Sequence, residues 1–378
     1  MTQPPTLVVR EISRTEHLAA IAQRPSVSFL QTPAWGAVKR DWRSQSLGWF
    51  AGDTLVGVGL VLYRKLPRIR RSLAYLPEGP AIDWDSAAKN GDVSRWLDPL
   101  VDHVKGQGAF GVRMGPTVIA RRWFNATVKA ALADENVQRL HDVPADETFT
   151  TASSIADQLT AAGWRPPATA DGFGAGQPQY VFQLPLDGSP DDLLKRFNQL
   201  WRRNIKKADK AGVTVRLGTA DDLAAFHELY THTAKRDGFT PRPLSYFRGM
   251  WEAMTAEAPD RLRLYLAEHE GDLVAATTMV RVGEHAWYSY GASSTGKREV
   301  RGSNAVQWRM IQDAIADGCT IYDLRGITDT LHEDDPHVGL IRFKLGTGGH
   351  AVEYLGEWDL PISRVLYSAF DLYMKRRS

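Results

Sequence analysis

A single cysteine, Cys319, stands among 378 residues. One thiol excludes an intrachain disulfide and a thiolate metal cluster, so oxidation is not what stabilises this chain. Long apolar runs are missing too. No stretch approaches the roughly eighteen apolar residues of a membrane span, and the opening MTQPPTLVVREISRTEHLAA has neither a basic leader nor an apolar signal core. These absences lead us to expect a soluble, cytoplasmic protein. Net charge is nearly absent as well, since 46 Lys and Arg face 44 Asp and Glu to give +2. The molecule as a whole cannot coat nucleic acid, no DNA partner is expected, and any basic patch has to be local.

One such patch is present. Between Lys195 and Lys210 the stretch LKRFNQLWRRNIKKADKAGV places seven Lys or Arg residues, with Asp209 as the only acid. Leu194, Phe197, Trp201, Ile205 and Ala208 recur every three or four residues and make one apolar stripe to bury. Arg202, Arg203, Lys206, Lys207 and Lys210 fan out around the rest and are offered to an anion. A cap at Ser189, Pro190 in the first turn, Asp191 and Asp192 on the dipole and a stop at Gly212 predict one helix over 190–211. The plain alternative is a solvated surface helix.

With 43% hydrophobic residues, the chain is long enough for two domains with separate cores. An ordered set of elements also occurs twice. GWFAGDTLVGVGLV from Gly48 and LYLAEHEGDLVAATTMV from Leu264 are both a strand, a Gly-Asp turn and a strand. Each is followed by an aromatic strand (LAYLPEGPAI, AWYSYGAS), a helix (VSRWLDPLVDHVKGQG, SNAVQWRMIQDAIADG) and a strand (AFGVRMG, TIYDLRG). That order is evidence of internal duplication. It is similar to the Gcn5-related N-acetyltransferase core, a mixed α/β sheet in which two parallel strands splay apart at an acyl donor. The expected fold is therefore two tandem acetyltransferase-like domains separated by a cleft. The coenzyme A version of that fold carries a Gln/Arg-x-x-Gly-x-Gly/Ala loop at a helix start. In KREVRGSNAV the residue three after Arg298 is Arg301, and Gly302 is followed by Ser303 and Asn304. A different activated acyl donor is called for.

Taken together, FLQTPAWGAVKRDW, the basic tract, KRDGFTPRPLSYF, AWYSYGAS, IYDLRGI and LIRFKLG resemble the Fem family of aminoacyl-tRNA-dependent peptidyltransferases. The resemblance runs from about Phe29 to Trp358. No heptad insertion interrupts the basic tract, as in compact relatives without a coiled-coil arm. The resemblance implies transfer of one amino acid (Gly, Ala or Ser) from aminoacyl-tRNA to an amine of a peptidoglycan precursor, nucleotide- or lipid-linked. This reaction builds the interpeptide bridge of the cell wall and needs no cofactor besides the aminoacyl-tRNA co-substrate. It also implies a first domain over 1–177, binding the precursor and completed by 357–378. A second, over 178–356, would hold the transfer site, with the basic helix facing tRNA.

Residue roles follow from the same resemblance. Negative charge develops on the ester carbonyl oxygen as an amine attacks, and a fixed cation would stabilise it. Lys344 in RFKLG matches the family lysine at the transfer site, and the preceding carbonyl, of Phe343, is implicated in proton handling. The bland alternative for Lys344 is an exposed lysine at a strand end. Lys39, after the aromatic helix AWGAVK, and Arg242, between Pro241 and Pro243, match family contacts to the diphosphate of the acceptor. Thr240, Tyr246, Tyr288 and Tyr290 would line the same cleft with hydroxyls; for the tyrosines, strand-core packing is the rival. One departure is plain. Many relatives have Asp before the proline at the first-domain strand end, whereas this chain reads Arg113-Met114-Gly115-Pro116. Arg113 or Asp83 is then the residue to reshape the site, and no general base is evident.

Other signals point elsewhere. LHEDDPH, with His332, Glu333, Asp334, Asp335 and His337, has ligand types for a metal but loop-like spacing, so no metal site is expected. Gly346, Gly348 and Gly349 lack the Lys-Ser/Thr of a P-loop. ISRVLYSAFDLYMKRRS either packs on the first domain or lies on the inner membrane face, with Leu366, Phe370 and Tyr373 inward and Lys375, Arg376 and Arg377 meeting lipid charge. Three further readings stay open: an aminoacyl-tRNA-dependent tailoring enzyme of natural-product biosynthesis, an acyl-CoA N-acyltransferase, and an inactive double module that binds RNA or precursor.

Overall fold

The computed structural model describes residues 5–66, 69–167, 176–335 and 337–375, with side chains up to residue 372; Arg376 and Arg377 lie outside the described residues. The chain separates into two compact units. One comprises Met1–Trp123, Arg139–Val181 and Val352–Ser378; the other comprises Phe124–Gln138 and Phe182–Ala351. The boundaries differ from 1–177 with 357–378 against 178–356, chiefly because Phe124–Gln138 joins the second unit. Its helix Asn125–Ala131 is tied there by Asn125, whose side-chain amide donates to Leu345 O at 2.7 Å. Leu331 N closes the excursion by donating to Gln138 O at 2.9 Å.

The first unit is built on a six-stranded sheet in the order Leu7–Glu11, Arg43–Ala51, Thr54–Lys65, Ser72–Leu76, Ala109–Met114, Trp358–Pro361. Its neighbours are antiparallel except Ser72–Leu76 and Ala109–Met114, which run parallel in register from Ser72↔Ala109 to Leu76↔Met114. A parallel pair needs a crossover, and the helix Val93–Gly106 supplies it. Val93, Trp96, Leu97, Leu100 and Val104 form its buried stripe. Trp49, wholly buried, spans from sheet to helix and donates through Nε1 to Trp96 O at 2.7 Å. The last strand pairs Trp358 with Met114 and Pro361 with Gly111. After it, the helix Arg364–Lys375 buries Tyr367 and Phe370 against Leu73 and Phe110. A side chain at Gly111 would overlap the Tyr367 ring, so the glycine is what lets this helix settle.

The second unit repeats the plan. Its strands follow the order Tyr180–Pro185, Ile321–Gly326, His285–Ser293, Asp272–Val282, Leu262–His269, Thr214–Leu217, the first of them entering the unit at Phe182. The crossover between His285–Ser293 and Ile321–Gly326 is the helix Gly302–Ala316, which buries Val306, Met310, Ile311 and Ala314. Here the parallel pairing stops after His285↔Ile321, Ala286↔Tyr322 and Trp287↔Asp323. A bulge sets in at the same level on the other side, between Thr278 and Met279 opposite Tyr290 and Tyr288, and bends the strand away. The splayed strands expected of an acetyltransferase-like core therefore occur in the second unit and not in the first.

The basic tract forms two helices rather than one over 190–211. Pro190–Arg196 ends at Phe197, which is extended, and Gln199–Lys210 begins after Asn198. Asn198 accepts from Trp201 N at 2.8 Å through its side chain while its own N–H donates to Gly346 O at 2.9 Å. Both groups would be committed to the ladder of an unbroken helix. Phe197 and Trp201 are buried and Leu193, not Leu194, is the fully buried leucine, so the apolar stripe survives the break with shifted members. Asn198→Ala should lower the unfolding free energy by about 1 kcal/mol in urea titration, and Asn198→Asp should retain most of it, because only a cap oxygen facing N–H groups is needed.

Candidate active site

Lys344 is neither at a strand end nor exposed. It lies in the helix Val338–Leu345 with 2% of its surface accessible. Its Nζ donates to the carbonyls of Arg325 at 3.1 Å and Gly326 at 2.6 Å, at the end of the splayed strand Ile321–Gly326. Those carbonyls turn toward the amine because Arg325 adopts φ +64°, a conformation that L side chains rarely take without support. Asp323 gives that support by accepting from Arg325 N at 2.6 Å. Gln183 donates to the other carboxylate oxygen at 3.0 Å, and His285 Nε2 stands 3.5 Å from it, its ring stacked 4.0 Å from that of Trp287. Burial alone would raise the Asp323 carboxyl, yet His285, Arg325 and Gln183 hold it below its ordinary value.

Burial pushes the Lys344 amine down to about 7, against the pull of Asp323. A neutral amine has two N–H groups for two carbonyls and keeps one lone pair; the ammonium has a third N–H to spare. In either state one bonding position remains, which suits a proton acceptor or a cation at a developing oxyanion. The Phe343 carbonyl is differently placed. It accepts from Trp201 Nε1 at 2.9 Å and from Gly346 N at 3.2 Å, so both lone pairs are engaged. Proton handling there would require one donor to leave. What the arrangement does in this state is clamp the basic helix to the helix of Lys344, with the Trp201 and Phe343 rings 4.8 Å apart.

An aromatic nest forms elsewhere in the second unit. The hydroxyls of Tyr246 and Tyr290 are 3.0 Å apart, and the exposed Arg242 guanidinium sits 5.5 Å from the Tyr246 ring. His227 Nε2 holds the Arg242 carbonyl at 3.0 Å, and Thr240 is exposed in the same connection. Tyr288 is half-buried, and burial pushes its phenol up to about 12. Gly291 makes room for it, since a Cβ there would overlap the Tyr288 hydroxyl. The structure thus brings Arg242, Tyr246 and Tyr290 together, while Lys39 belongs to the first unit. There it caps the helix Pro33–Val38, half-buried, with Nζ 5.0 Å from the Trp35 ring. Arg202, Arg203, Lys206, Lys207 and Lys210 are all exposed, and none has an ion-pair partner among the described residues.

The two residues offered in place of the missing aspartate are occupied otherwise. Arg113 is buried in a two-pronged pair with Asp359, at 2.7 and 2.8 Å, and Asp83 caps the helix Trp84–Asn90 by accepting from Ser86 N at 2.9 Å. The residue that sequence reasoning missed is Glu357. Its Cγ stands 3.0 Å from where a side chain of Gly115 would begin. Tyr75 donates to its carboxylate at 2.6 Å, and Gln177 N at 3.3 Å. Burial pushes the Glu357 carboxyl up, opposed by Tyr75 and the charge of Arg113. The signal was an acid two residues before Asp359 in a returning strand, 242 positions away from Gly115 by numbering (357 less 115).

Among the described residues no three His, Cys, Asp or Glu side chains converge as metal ligands; in the LHEDDPH stretch, whose Pro336 lies outside the described residues, Asp335 pairs with His337 at 3.0 Å and Glu333 with Arg342 at 2.8 Å. Cys319 is buried, which pushes its thiol up to about 11 and leaves it a poor nucleophile.

Lys344 titrates at about 7 in the folded chain against an ordinary 10.5. Between those values the unfolded chain binds a proton that the folded chain does not, so stability from this residue rises with pH there and is flat outside. Urea titrations from pH 7 to 10 should show a steeper upward trend for the wild type than for Lys344→Met; equal slopes would mean that the amine stays charged.

Known proteins resemble this one along its length. The FemAB family profile matches residues 12–272 and 264–375. The lipid II:glycine glycyltransferase of Staphylococcus aureus (strain MRSA252) is 22% identical, over 95% of this chain and 94% of its own. Among solved structures, that of FemX superimposes with a TM-score of 0.80 at 21% identity, covering 96% of this chain and 99% of its own. That of L-PGS from Bacillus licheniformis reaches 0.52 at 11% identity, with 95% of each chain covered. The two mixed α/β sheets share their fold with FemX, and the match of the profile to nearly every residue places this chain in the FemAB family.

Proposed function

We propose that this protein is an aminoacyltransferase that moves one amino acid from aminoacyl-tRNA to an amine of a peptidoglycan precursor and so builds the interpeptide bridge. The observation that carries the reading is Lys344, a buried amine held on two carbonyls where the sheet splays, in a FemAB chain whose relatives are named for glycyl transfer to lipid II. The precursor amine attacks the ester carbonyl carbon; the new C–N bond forms as the C–O bond to the ribose breaks. The oxyanion on the way is met by the third N–H of the Lys344 ammonium. The proton lost by the attacking amine ends on the ribose oxygen, and a group titrating at about 7 is suited to pass it. The ester is already activated, so positioning supplies much of the rest.

In this reading the first unit takes part in holding the precursor, and the second also contacts it and performs transfer. Lys39 in the first unit and Arg242 in the second are each suited to a precursor phosphate, Lys39 as a point charge and Arg242 as a fork. Thr240, Tyr246, Tyr288 and Tyr290 offer hydroxyls to the acceptor peptide or sugar, and Phe343 shares in proton handling once Trp201 or Gly346 releases its carbonyl. Arg202, Arg203, Lys206, Lys207 and Lys210 receive the tRNA acceptor arm, since five exposed cations on one helix, without an ion-pair partner among the described residues, fit a polyphosphate. Reaction with a lipid-linked acceptor brings the protein to the inner membrane face as a peripheral visitor from the cytoplasm; among the described residues no helix is long and apolar enough to cross.

The test is transfer itself. Separately charged glycyl-, alanyl- and seryl-tRNA, offered with UDP-MurNAc-pentapeptide or lipid II, should yield a product one residue heavier by mass spectrometry; no gain with any pairing sinks the reading. Lys344→Met should lower kcat by roughly a hundredfold or more with a smaller change in precursor affinity, and equal losses in both would remove it from the chemistry. Neutralising Arg203, Lys206 and Lys207 together should raise KM for aminoacyl-tRNA and flatten its log–log salt dependence by about two to three. Loss of precursor binding instead would assign the helix to the other substrate.

A further inference from the structure

Among the described side chains of the helix Arg364–Lys375, one apolar stripe is buried and a second is exposed. Tyr367 and Phe370 pack inward on Phe110 and Leu73, with Leu366 beside them. On the opposite stripe, at positions i, i+4 and i+7, stand Val365, 80% accessible, Ala369, exposed, and Leu372, 54% accessible. The turn that follows the strand Thr54–Lys65 lies against the same helix, because Leu66 joins the Tyr367 cluster and the Arg64 guanidinium sits 6.0 Å from the Phe370 ring. Leu66 N donates to Arg71 O at 2.9 Å and closes that turn. Among its described residues Ile69, 47% accessible, stands beside the exposed Arg70 and Arg71. Lys65 and Arg364 are exposed as well, and none of these four cations has an ion-pair partner among the described residues. The one acid of the helix, Asp371, is paired with Arg165 at 3.2 Å.

We infer that this face of the first unit, formed by Val365, Ala369 and Leu372 of the C-terminal helix with Ile69, Arg70 and Arg71 of the adjoining turn, docks on the surface of an anionic lipid bilayer. Four exposed aliphatic side chains framed by cations that have no ion-pair partner among the described residues fit the boundary between acyl chains and acidic headgroups, where the aliphatic groups leave water and the cations meet charge. A nucleic acid would satisfy the cations but leave Val365, Leu372 and Ile69 facing phosphate and water. A second copy of this chain would present the same cations to each other. Tyr367 and Phe370 already fix the helix to its unit, so the docking face is held in shape before contact and loses little entropy on binding.

This deepens the peripheral contact proposed above, but its test contains no precursor and no tRNA, so either reading can fail while the other stands. The full chain is floated with vesicles of phosphatidylcholine alone and of an equal mixture with phosphatidylglycerol. It should partition onto the anionic vesicles and be released by raised salt, a readout that needs no variant. Arg70→Gln with Arg71→Gln should lower that partition roughly tenfold or more, and Val365→Gln with Leu372→Gln should do so by roughly tenfold, both with unchanged circular dichroism and melting. Failure to float, equal flotation on both vesicle types, or persistence at high salt would overturn the inference. So would a dimer in sedimentation that Val365→Gln with Leu372→Gln dissolves, or a loss of RNA binding in the arginine variants with vesicle binding intact.

Discussion

An amine shut away from water has to be met by oxygen, and the geometry around Lys344 follows from that requirement. Its two carbonyls face inward because Arg325 takes a left-handed conformation, which costs about 1–3 kcal/mol unless its surroundings hold it. Asp323 does so through Arg325 N, and Asp323 is itself buried and held by Gln183 and His285. Each group thus answers for the one before it. Pairing between the strands of His285 and Ile321 ends at Trp287↔Asp323, the same residue, so the opening of the sheet and the seating of the amine share one hinge point.

Much of the fold could be read from local pattern, because hairpins with Gly-Asp turns and helices with a repeating stripe announce themselves within a dozen residues. The duplicated order of elements was of that kind, whereas the return of the C-terminal segment to the first unit was implied by the resemblance to the Fem family. What escaped was non-local. The excursion Phe124–Gln138 belongs to the second unit through a side chain, Asn125, whose partners are Leu345 and Gly349. The break at Phe197 and Asn198 escaped because the apolar stripe runs on across it, while the reason for it, Gly346 O waiting for Asn198 N, lies far along the chain. Lys344 was found by its motif, yet nothing in RFKLG announces that the lysine is buried; that depends on where two carbonyls near Gly326 point.

In the first unit a late segment of the chain brings two acids to Gly115 and Arg113. Gly115 lacks a side chain, and the space is filled by Glu357, brought in by a strand from the far end of the sequence. The same strand brings Asp359 to Arg113, so one short segment both neutralises a buried cation and installs a carboxyl whose proton is held more tightly than usual. Reading motifs position by position misses such a convergence, since neither residue alone departs from ordinary usage.

That late strand also gives the chain a history. On the ribosome, Arg113 and the edge of Ala109–Met114 are made long before Trp358–Pro361 exists to cover them. The first unit to emerge is thus the last to close, and the second can be complete while its elder neighbour still waits for a strand. Arg113 spends that interval without the carboxylate it is buried with.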